Sequence, residues 1–362
     1  MSKQPTKAIS RIRNDIPATS GRGLPLSLLS DVKNLIELSR ARVAVAVNDE
    51  LTGLYWQIGR RINQDILKER RAEYGQQIVS ALSRELTQEY GPGYAEKSLR
   101  HMLRFAEVFP DEGIVSTMRR QLSWSHLKII IYLEDPLKRD FYMEMARLER
   151  WSTRALQQRV DGMLFERTAI CKKPAKLIER QLKALKEEDK LTPELVFRDP
   201  YFLDFLGLGD QYAERDLEAA ILRELERFIL ELGTDFAFVA RQKRIAVDHE
   251  DYYLDLLFYH RRLRRLVAVD LKLGKFQAAD KGQMELYLRW LDRYERQWGE
   301  EEPIGLILCA GKSNEQVELL ELEASGIRVA EYMVQLPPRK ILEKKLHEAI
   351  LLARQRLEEK SA

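Results

Sequence analysis

The sequence predicts an all-α N-terminal domain followed by a C-terminal α/β domain with a mixed sheet flanked by helices. The first observation is the spacing of apolar residues, which recur at every third or fourth position from residue 25 to about residue 168. The second is a change after Pro200, where β-branched and aromatic runs alternate with helical segments. The third is the length of 362 residues, which suits two domains that each bury a core.

The composition argues against several classes of protein. With 18 glycines, 12 prolines and a mean hydropathy of −0.40, the chain is not of a fibrous, low-complexity or membrane type, and its apolar runs are far shorter than the roughly 20 residues that span a bilayer. Cys171 and Cys309 are far apart and the five histidines are scattered, so we expect no disulfide framework, structural zinc or histidine metal triad. No secretory signal opens the chain, and we expect a cytoplasmic protein without a membrane partner.

The net charge of +3 is unevenly distributed along the chain. The first 200 residues carry 35 basic and 27 acidic side chains, whereas residues 201–362 carry 25 and 30. A basic half joined to an acidic half indicates that one part binds a polyanion such as a nucleic acid. Ordinary solvated charge on helix surfaces is the alternative interpretation.

Four segments are predicted along the chain. Residues 1–24 are polar and basic and are expected to form a mobile tail, and residues 25–171 form the helical N-terminal domain. Residues 172–195 are charged with a thin apolar stripe, and they form either a connecting helix or a linker. Residues 196–362 form the α/β domain.

The N-terminal domain is expected to contain a long amphipathic helix near its start. Apolar residues at helical spacing mark this helix: Leu35, Ile36, Val43, Val47, Leu51, Leu54, Tyr55, Ile58 and Ile62. Further helices are predicted near residues 75–90, 95–109, 125–134, 136–150 and 152–165. Ser152 and either Ser123 or Ser125 are candidate N-caps, because a serine oxygen accepts a hydrogen bond from the free amides at a helix start.

The C-terminal domain has the predicted element order α-β-β-β-α-β-α-β-α. The elements are a helix at 213–232, strands at 236–247, 252–260 and 265–273, a helix at 279–298, a strand at 303–311, a helix at 314–325, a strand at 327–334 and a helix at 338–359. Gly233 follows the first helix, as expected of a C-cap.

Three charged residues lie in strands that should otherwise be buried. Asp255 interrupts the apolar run YYLDLLFYH, and Asp270 and Lys272 interrupt the run LVAVDLKL. Side chains two positions apart on a strand point the same way, so Asp270 and Lys272 share a face. Burying a carboxylate costs several kcal/mol unless a partner compensates it, so packing alone does not account for one in each of two adjacent strands.

The helix before these strands offers a third carboxylate. At 100° per residue, Glu218 falls in the middle of the apolar face, Glu226 points away from it and Glu224 lies at its margin. Glu214 shares the face but lies in the first turn, which we expect to be exposed. Glu218 is therefore the residue of this helix that we expect to reach the two strand carboxylates.

Two or three carboxylates beside a lysine suit a hard divalent cation. Mg²⁺ prefers oxygen ligands and is usually held by one or two carboxylates together with substrate phosphate, and Mn²⁺ is an expected substitute. Such a cation activates a water molecule and neutralises charge on a phosphate, while Lys272 positions the water or stabilises the charged transition state. An internal Asp–Lys pair on a strand is the alternative interpretation.

The series Glu218, Asp255, Asp270-Leu271-Lys272 on this element order resembles the PD-(D/E)XK nuclease superfamily. The runs DLEAAILRELERFILELGTDFAFVARQKRIAV, YYLDLLFYHRRLRRLVAVDLKLGKF and GQMELYLRWLD are similar to the YhcG-type PD-(D/E)XK nucleases of bacteria. The runs ARVAVAVNDELTGLYWQIGRRI, LSRELTQEYGPGYAEKSLRHMLRF and QLSWSHLKIII resemble the helical domain that precedes that nuclease domain. The resemblance covers residues 30–350 approximately and implies a restriction-endonuclease-like fold for the second domain.

The resemblance also implies roles for individual residues. Asp255 and Asp270 would hold Mg²⁺, Glu218 would complete or tune that metal site, and Lys272 would be the catalytic lysine. Gln283 matches a position where related nucleases often carry an active-site glutamine, although a polar residue near a helix start is the alternative.

Two positions depart from the superfamily pattern. The proline that usually precedes the first aspartate is Leu254, which is a common variation. Asp270 stands where family members usually carry glutamate, so its carboxylate is one methylene shorter. This second change could loosen the metal site and lower activity.

Two basic groups are candidates for nucleic-acid contacts. The run LSRELTQEYGPGYAEKSLRHMLRF predicts helix, turn and helix, and the second helix displays Lys97, Arg100, His101 and Arg104 towards one side. The turn is longer than in a standard helix-turn-helix, and a helical bundle for dimerisation or partner contact is the alternative. The turn HRRLRR carries Arg261, Arg262, Arg264 and Arg265, for which a solvated β-turn is the alternative.

We therefore predict a metal-dependent nuclease that hydrolyses DNA, with an N-terminal domain that recruits substrate or partners. A homodimer through the long N-terminal helix is a further hypothesis. The resemblance points to genome defence or mobile-element biology. An inactive nuclease fold that serves as a nucleic-acid-binding module, and a nuclease that prefers RNA, are the alternatives.

Overall fold

The computed structural model describes residues 26–69, 72–209 and 212–361. A helical N-terminal region precedes a mixed sheet with helices on both faces, as the sequence predicts. The predicted tail at residues 1–24 lies outside the described residues. None of the helices in the described ranges combines the length and apolar character needed to cross a membrane.

The N-terminal region is built from helices joined by short turns. Their bounds are α1 Leu26–Glu69, α2 Ala72–Tyr90, α3 Glu96–Val108, α4 Glu112–Arg119, α5 Trp124–Ile130, α6 Pro136–Leu148, α7 Thr153–Asp161, α8 Leu164–Arg167, α9 Ala175–Glu188 and α10 Pro193–Val196. Ser152 caps α7 by accepting a hydrogen bond from the Ala155 amide at 3.1 Å, which confirms the predicted cap. Ser123, rather than Ser125, immediately precedes α5.

Helices α1 and α3 pack closely against each other in the N-terminal region. A Cβ atom at Gly59 of α1 would lie 2.0 Å from the carbonyl oxygen of Met102 in α3, so only glycine permits this approach. Trp56, one turn earlier on α1, donates a hydrogen bond to the Phe109 carbonyl at 2.7 Å. The long first helix is thereby fixed along its second half.

The predicted connecting segment at 172–195 contains a helix that packs into the N-terminal core. Helix α9 buries Leu182 and Leu185 there. Arg147 of α6 donates a hydrogen bond to the Leu185 carbonyl at 2.9 Å. Of the two interpretations that the sequence left open, the helix is therefore observed.

The C-terminal region contains six strands, within the described residues, and flanking helices. Their bounds are β1 Tyr201–Phe202, α11 Glu214–Arg223, α12 Leu225–Leu232, β2 Phe236–Val247, β3 Glu250–His260, β4 Arg265–Lys275, α13 Ala278–Tyr294, β5 Ile304–Gly311, α14 Asn314–Leu319, β6 Ile327–Met333 and α15 Arg339–Ser361. The strand order is β1-β6-β5-β4-β3-β2. Strands β2, β3 and β4 are antiparallel, and β4, β5, β6 and β1 are parallel. Helices α11 and α12 pack on one face and α13 on the other, which confirms the predicted mixed sheet.

Several elements differ from their predictions. Helix α4 was not predicted, the helix predicted at 152–165 is observed as α7 and α8, and the helix predicted at 314–325 ends at Leu319. The helix predicted at 213–232 is interrupted at Glu224, whose φ of −106° and ψ of 31° divide it into α11 and α12. Both segments bury apolar residues in one layer, and the break lets each follow the twisted sheet. Strand β1 was not predicted, because two residues are too few to show a periodicity.

Asp199 joins the two regions through a buried ion-pair network. Its Oδ2 accepts hydrogen bonds from Lys172 and Lys312, both at 2.6 Å, and its Oδ1 accepts one from the Glu331 amide at 3.0 Å. Burial alone would raise the pKa of Asp199, but Lys312 and Lys172 hold this pKa well below its usual range. The network connects the N-terminal region to β5 and β6.

A second polar junction surrounds Glu231 of α12. Arg167 of α8 lies 2.5 Å from Glu231 Oε1, and Arg198 lies 3.1 Å from Oε2. Arg167 also donates to the Pro200 carbonyl at 3.1 Å. Both arginine side chains are almost fully buried. Buried ion pairs therefore join the two regions at this junction as well.

We expect Asp199→Asn to destabilise the fold, because it keeps the shape of the side chain but leaves Lys172 and Lys312 without their anion. Breaking a buried ion pair should lower the free energy of unfolding at pH 7 by about 3–5 kcal/mol, measured by urea denaturation. Asp189→Asn is the control, because the Asp189 side chain is 61% exposed. Its loss should cost no more than about 1 kcal/mol.

The stability difference between the parent and Asp199→Asn should also depend on pH. Because the folded-state pKa of Asp199 is depressed, its charge stabilises the fold above the ordinary carboxyl pKa of about 4, and this stabilisation is lost as the pH falls below that value. The stability difference between parent and Asp199→Asn should shrink over that acidic range. Equal urea midpoints at pH 7 would contradict the assigned role.

Candidate active site

The candidate active site lies where strands β3 and β4 separate. The two strands pair from His260 and Arg265 to Leu256 and Val269, and there the pairing stops. Beyond this point β3 pairs with β2, and β4 pairs with β5. We call the gap between them the β3–β4 fork.

Two carboxylates stand at the start of this fork. The register that pairs Leu256 with Val269 would place Asp255 directly opposite Asp270. Like charges directly opposite each other destabilise a strand pair, so separation of the strands at this row is the arrangement that electrostatics favours. The sequence predicted both aspartates as site residues, and the fold brings them to the same row.

The separated edge of β4 leaves backbone amides that need acceptors. Leu271 donates its amide hydrogen to Asp255 Oδ2 at 2.8 Å, and Leu273 donates to Glu214 Oε1 at 3.2 Å. The two carboxylates thus replace the missing strand carbonyls, as backbone donors near the interior require. Glu214 lies in an exposed first turn, as expected, and its carboxylate nevertheless reaches β4.

Asp270 and Lys272 form an ion pair on β4. The Asp270 side chain is 6% exposed, and its Oδ2 lies 2.9 Å from Lys272 Nζ. Burial raises the pKa of Asp270 to about 6, which Lys272 opposes and Asp255 reinforces. Burial also raises the pKa of Asp255, against the hydrogen bonds from the Leu271 amide and Gln242.

Helix α13 contributes a glutamine and a tyrosine. Gln283 Oε1 lies 3.5 Å from Lys272 Nζ, so the predicted glutamine does adjoin the predicted lysine. Gln283 Nε2 lies 2.5 Å from the Tyr287 hydroxyl, which donates to the Tyr253 carbonyl at 3.2 Å. Tyr287 was missed in the sequence, although its position one helical turn after Gln283 was a usable signal.

Glu218 reaches the site through a second glutamine. Gln242 Nε2 donates to Glu218 Oε2 at 3.0 Å and to Asp255 Oδ1 at 3.1 Å. Glu218 therefore lies next to Asp255, and the Gln242 amide bridges the two carboxylates. Glu218 Oε1 is buried and has no hydrogen-bond partner. Nothing in the polar run around Gln242 marked it as a site residue.

The donor set suits a hard divalent cation without forming a complete cage. Within the described ranges, no group of three or more aspartate, glutamate, histidine or cysteine side chains is arranged to hold a metal ion. In the expected set of Asp255, Asp270 and Glu218, the Gln242 amide lies between Glu218 and Asp255, and the Lys272 ammonium lies against Asp270. Mg²⁺ needs only one or two carboxylates besides water and substrate, and the unpartnered Glu218 oxygen is a further acceptor. The residues present therefore fit such an ion.

The predicted basic face of α3 is exposed and partly engaged. Helix α2, a turn and α3 follow in the predicted order. Lys97 and Arg100 are exposed, and Arg100 pairs with Glu96 at 2.6 Å. Arg104 is half-buried and donates to the Ile131 carbonyl at 3.3 Å. Nucleic-acid contact by these residues stays a prediction.

The basic turn between β3 and β4 lies away from the carboxylates. It is five residues along β3 from Asp255, which corresponds to about 16 Å of strand. Arg262 donates to Asp235 Oδ2 at 2.6 Å and to the Leu148 carbonyl of α6 at 3.0 Å. Arg261 and Arg264 are exposed. The fold thus does not bring this turn to the carboxylates of the candidate site, and its nucleic-acid role stays a prediction.

A mixed sheet that carries D…D-x-K on two antiparallel strands, with a glutamate on the preceding helix and a glutamine on the following one, defines a PD-(D/E)XK nuclease domain. Comparison with known proteins agrees. A family model described as the YhcG PDDEXK nuclease domain matches residues 194–347, and one described as the DUF1016 N-terminal domain matches residues 31–167. The chain belongs to the YhcG family of PD-(D/E)XK nucleases.

One curated relative is similar over most of both chains. It is "Putative nuclease YhcG" of Escherichia coli (strain K12), 34% identical over 343 residues, a match that covers 85% of this chain and 90% of the relative. Among solved structures, a repair endonuclease from Pyrococcus abyssi is 22% identical, with a TM-score of 0.25, over 36% of this chain and 50% of its own.

Gln283→Leu tests whether the α13 glutamine serves the lysine. The change keeps the side-chain volume but removes the group that adjoins Lys272, so we expect cleavage to slow by about 10–100-fold, as misplacement of a reacting group does. The free energy of unfolding should change by less than about 1.5 kcal/mol. Gln297→Leu, at an exposed glutamine beyond α13, is the control and should cleave like the parent. Unchanged cleavage by Gln283→Leu would contradict this role.

Proposed function

We propose that this protein is a metal-dependent nuclease that hydrolyses phosphodiester bonds of DNA, with Mg²⁺ as its cofactor and Mn²⁺ as a substitute. The observation that carries the proposal is the pair of opposed aspartates at the β3–β4 fork, with Lys272 at 2.9 Å from Asp270. A structural ion pair would explain Asp270 and Lys272 alone. It would leave Asp255, Glu218 and Gln283 around the same point without a purpose.

The side chains have distinct proposed roles. Asp255 and Asp270 hold the cation, and Glu218 completes or tunes the site with its free oxygen. A bound divalent cation supplies an activated water and neutralises charge on the phosphate. Lys272 presents its ammonium group to the attacking water and the scissile phosphate, and Gln283 limits where that ammonium can move.

The N-terminal domain is proposed to recruit substrate or partners. Exposed Lys97 and Arg100 on α3, with Arg104 beside them, supply cations for phosphate contacts, and Arg261, Arg262 and Arg264 are the second candidate group. The excess of basic side chains in the first 200 residues supports binding of a polyanion by this part.

Three further parts of the proposal concern assembly and setting. Val32, Ile36 and Val43 of α1 are 43–60% exposed and follow the four- and seven-residue steps of a coiled-coil seam, which a second copy of α1 would cover. A cytoplasmic location suits the two buried free cysteines. Genome defence, including action against mobile elements, is the proposed setting.

The deciding experiment compares the parent with Asp270→Ala on plasmid, linear and single-stranded DNA, each with Mg²⁺, Mn²⁺ or EDTA. We expect the parent to cut at least one form, EDTA to abolish cutting, and Asp270→Ala to fall to the EDTA level, because the variant lacks a cation ligand. The preferred DNA form then reports on specificity.

The other outcomes are equally informative. Equal cutting by parent and variant would remove Asp270 from the site. Binding of DNA without any cutting, after an RNA substrate has also been tried, would favour a nucleic-acid-binding module on a nuclease fold. Cutting of RNA alone would replace the proposed substrate.

A further inference from the structure

Gln242 has a backbone conformation that strands rarely contain. Its φ is +44°, and it is the one non-glycine residue inside the described strands with a positive φ. Side chains with a Cβ atom pay a free-energy penalty in this left-handed region, so they occupy it where surrounding contacts require it. The register of β2 and β3, which pairs Arg241 with Leu256 and Lys243 with Leu254, places Gln242 opposite Asp255.

The side-chain amide of Gln242 links three elements. Its Nε2 group has two hydrogens, one for Glu218 Oε2 of α11 at 3.0 Å and one for Asp255 Oδ1 of β3 at 3.1 Å. A neutral donor between two carboxylates lets them lie close together, where direct contact would be repulsive. The unusual backbone conformation thus accompanies a specific polar contact.

We propose that Gln242 is a positioning residue that fixes Asp255 and Glu218 for divalent-cation binding, an inference that rests on the proposed metal-dependent function. Asp255 is held from two sides, by Gln242 at Oδ1 and by the Leu271 amide at Oδ2, so its carboxylate plane is fixed. Glu218 is held by Oε2 alone, and its buried Oε1 remains free as an acceptor.

A simpler explanation is that Gln242 only fills space between α11 and the sheet. The two explanations differ in what they require of the side chain. Space filling requires volume, whereas positioning requires an amide long enough to span both carboxylates. Two variants of Gln242 test these requirements. One keeps the amide and the tolerance of positive φ, and the other keeps the side-chain volume.

Gln242→Asn retains an amide and a residue type that tolerates positive φ, but it is one methylene too short to bridge Glu218 and Asp255. Gln242→Met retains the length and volume but has no hydrogen-bond donor. Gln157→Asn is the matched control, because Gln157 also donates to a carboxylate, that of Asp161 at 3.0 Å, on the surface of α7.

The first measurement is equilibrium binding of Mn²⁺ to the full-length proteins by titration calorimetry. We expect both Gln242 variants to bind Mn²⁺ about 10–100-fold more weakly than the parent, which is the usual effect of removing a group that orients a metal ligand. Gln157→Asn should bind like the parent. Urea denaturation of each protein establishes that the variants remain folded.

The second measurement is cleavage as a function of Mn²⁺ concentration. A positioning role predicts that both Gln242 variants need more Mn²⁺ for half-maximal rate but approach the parental kcat when Mn²⁺ is saturating. Loss of folded protein would instead lower kcat at every Mn²⁺ concentration and leave the half-maximal concentration unchanged, which would overturn the inference.

Parental Mn²⁺ affinity in both Gln242 variants would also overturn it, and parental affinity in Gln242→Met alone would favour space filling. Failure of the proposed function has a different signature. In that case the parent itself would neither bind Mn²⁺ nor cleave, and the positioning role would fall with it.

Discussion

Strands β3 and β4 are paired at one end and separated at the other, which leaves backbone amides of β4 without strand partners. The site depends on the side chains that accept hydrogen bonds from these amides. Asp255 and Asp270 oppose each other at the first unpaired row, where two negative charges disfavour closure. Asp255 accepts a hydrogen bond from the Leu271 amide, which has no partner on β3. The hydrogen bond that completes the backbone of β4 also fixes the direction of a carboxylate.

The helices around the β3–β4 fork also supply polar side chains to it. Each of these side chains comes from a helix that is packed against the core. Helix α11 supplies Glu214 and Glu218 from a face whose apolar residues lie in the core. Helix α13 supplies Gln283 from the opposite face of the sheet. Rigid elements therefore hold the polar side chains, which is the condition for a preorganised catalytic site.

Sequence patterns were sufficient to identify candidate residues whose charge conflicts with apolar neighbours. Asp255, Asp270 and Lys272 stood out as charges in apolar strands, and Glu218 as a charge on an apolar helix face. It was insufficient for Gln242 and Glu214. Their roles depend on strand register, on a left-handed backbone and on amides freed by the fork, none of which periodicity encodes. The break at Glu224 escaped prediction for a similar reason, since the apolar spacing continues through it.

The attachment of the β3–β4 turn to the N-terminal region sets a length scale for the molecule. Arg262 fastens the closed end of the hairpin to α6, while the carboxylates lie about 16 Å away at its open end. The hairpin therefore connects the row of Asp255 and Asp270 mechanically to the N-terminal region.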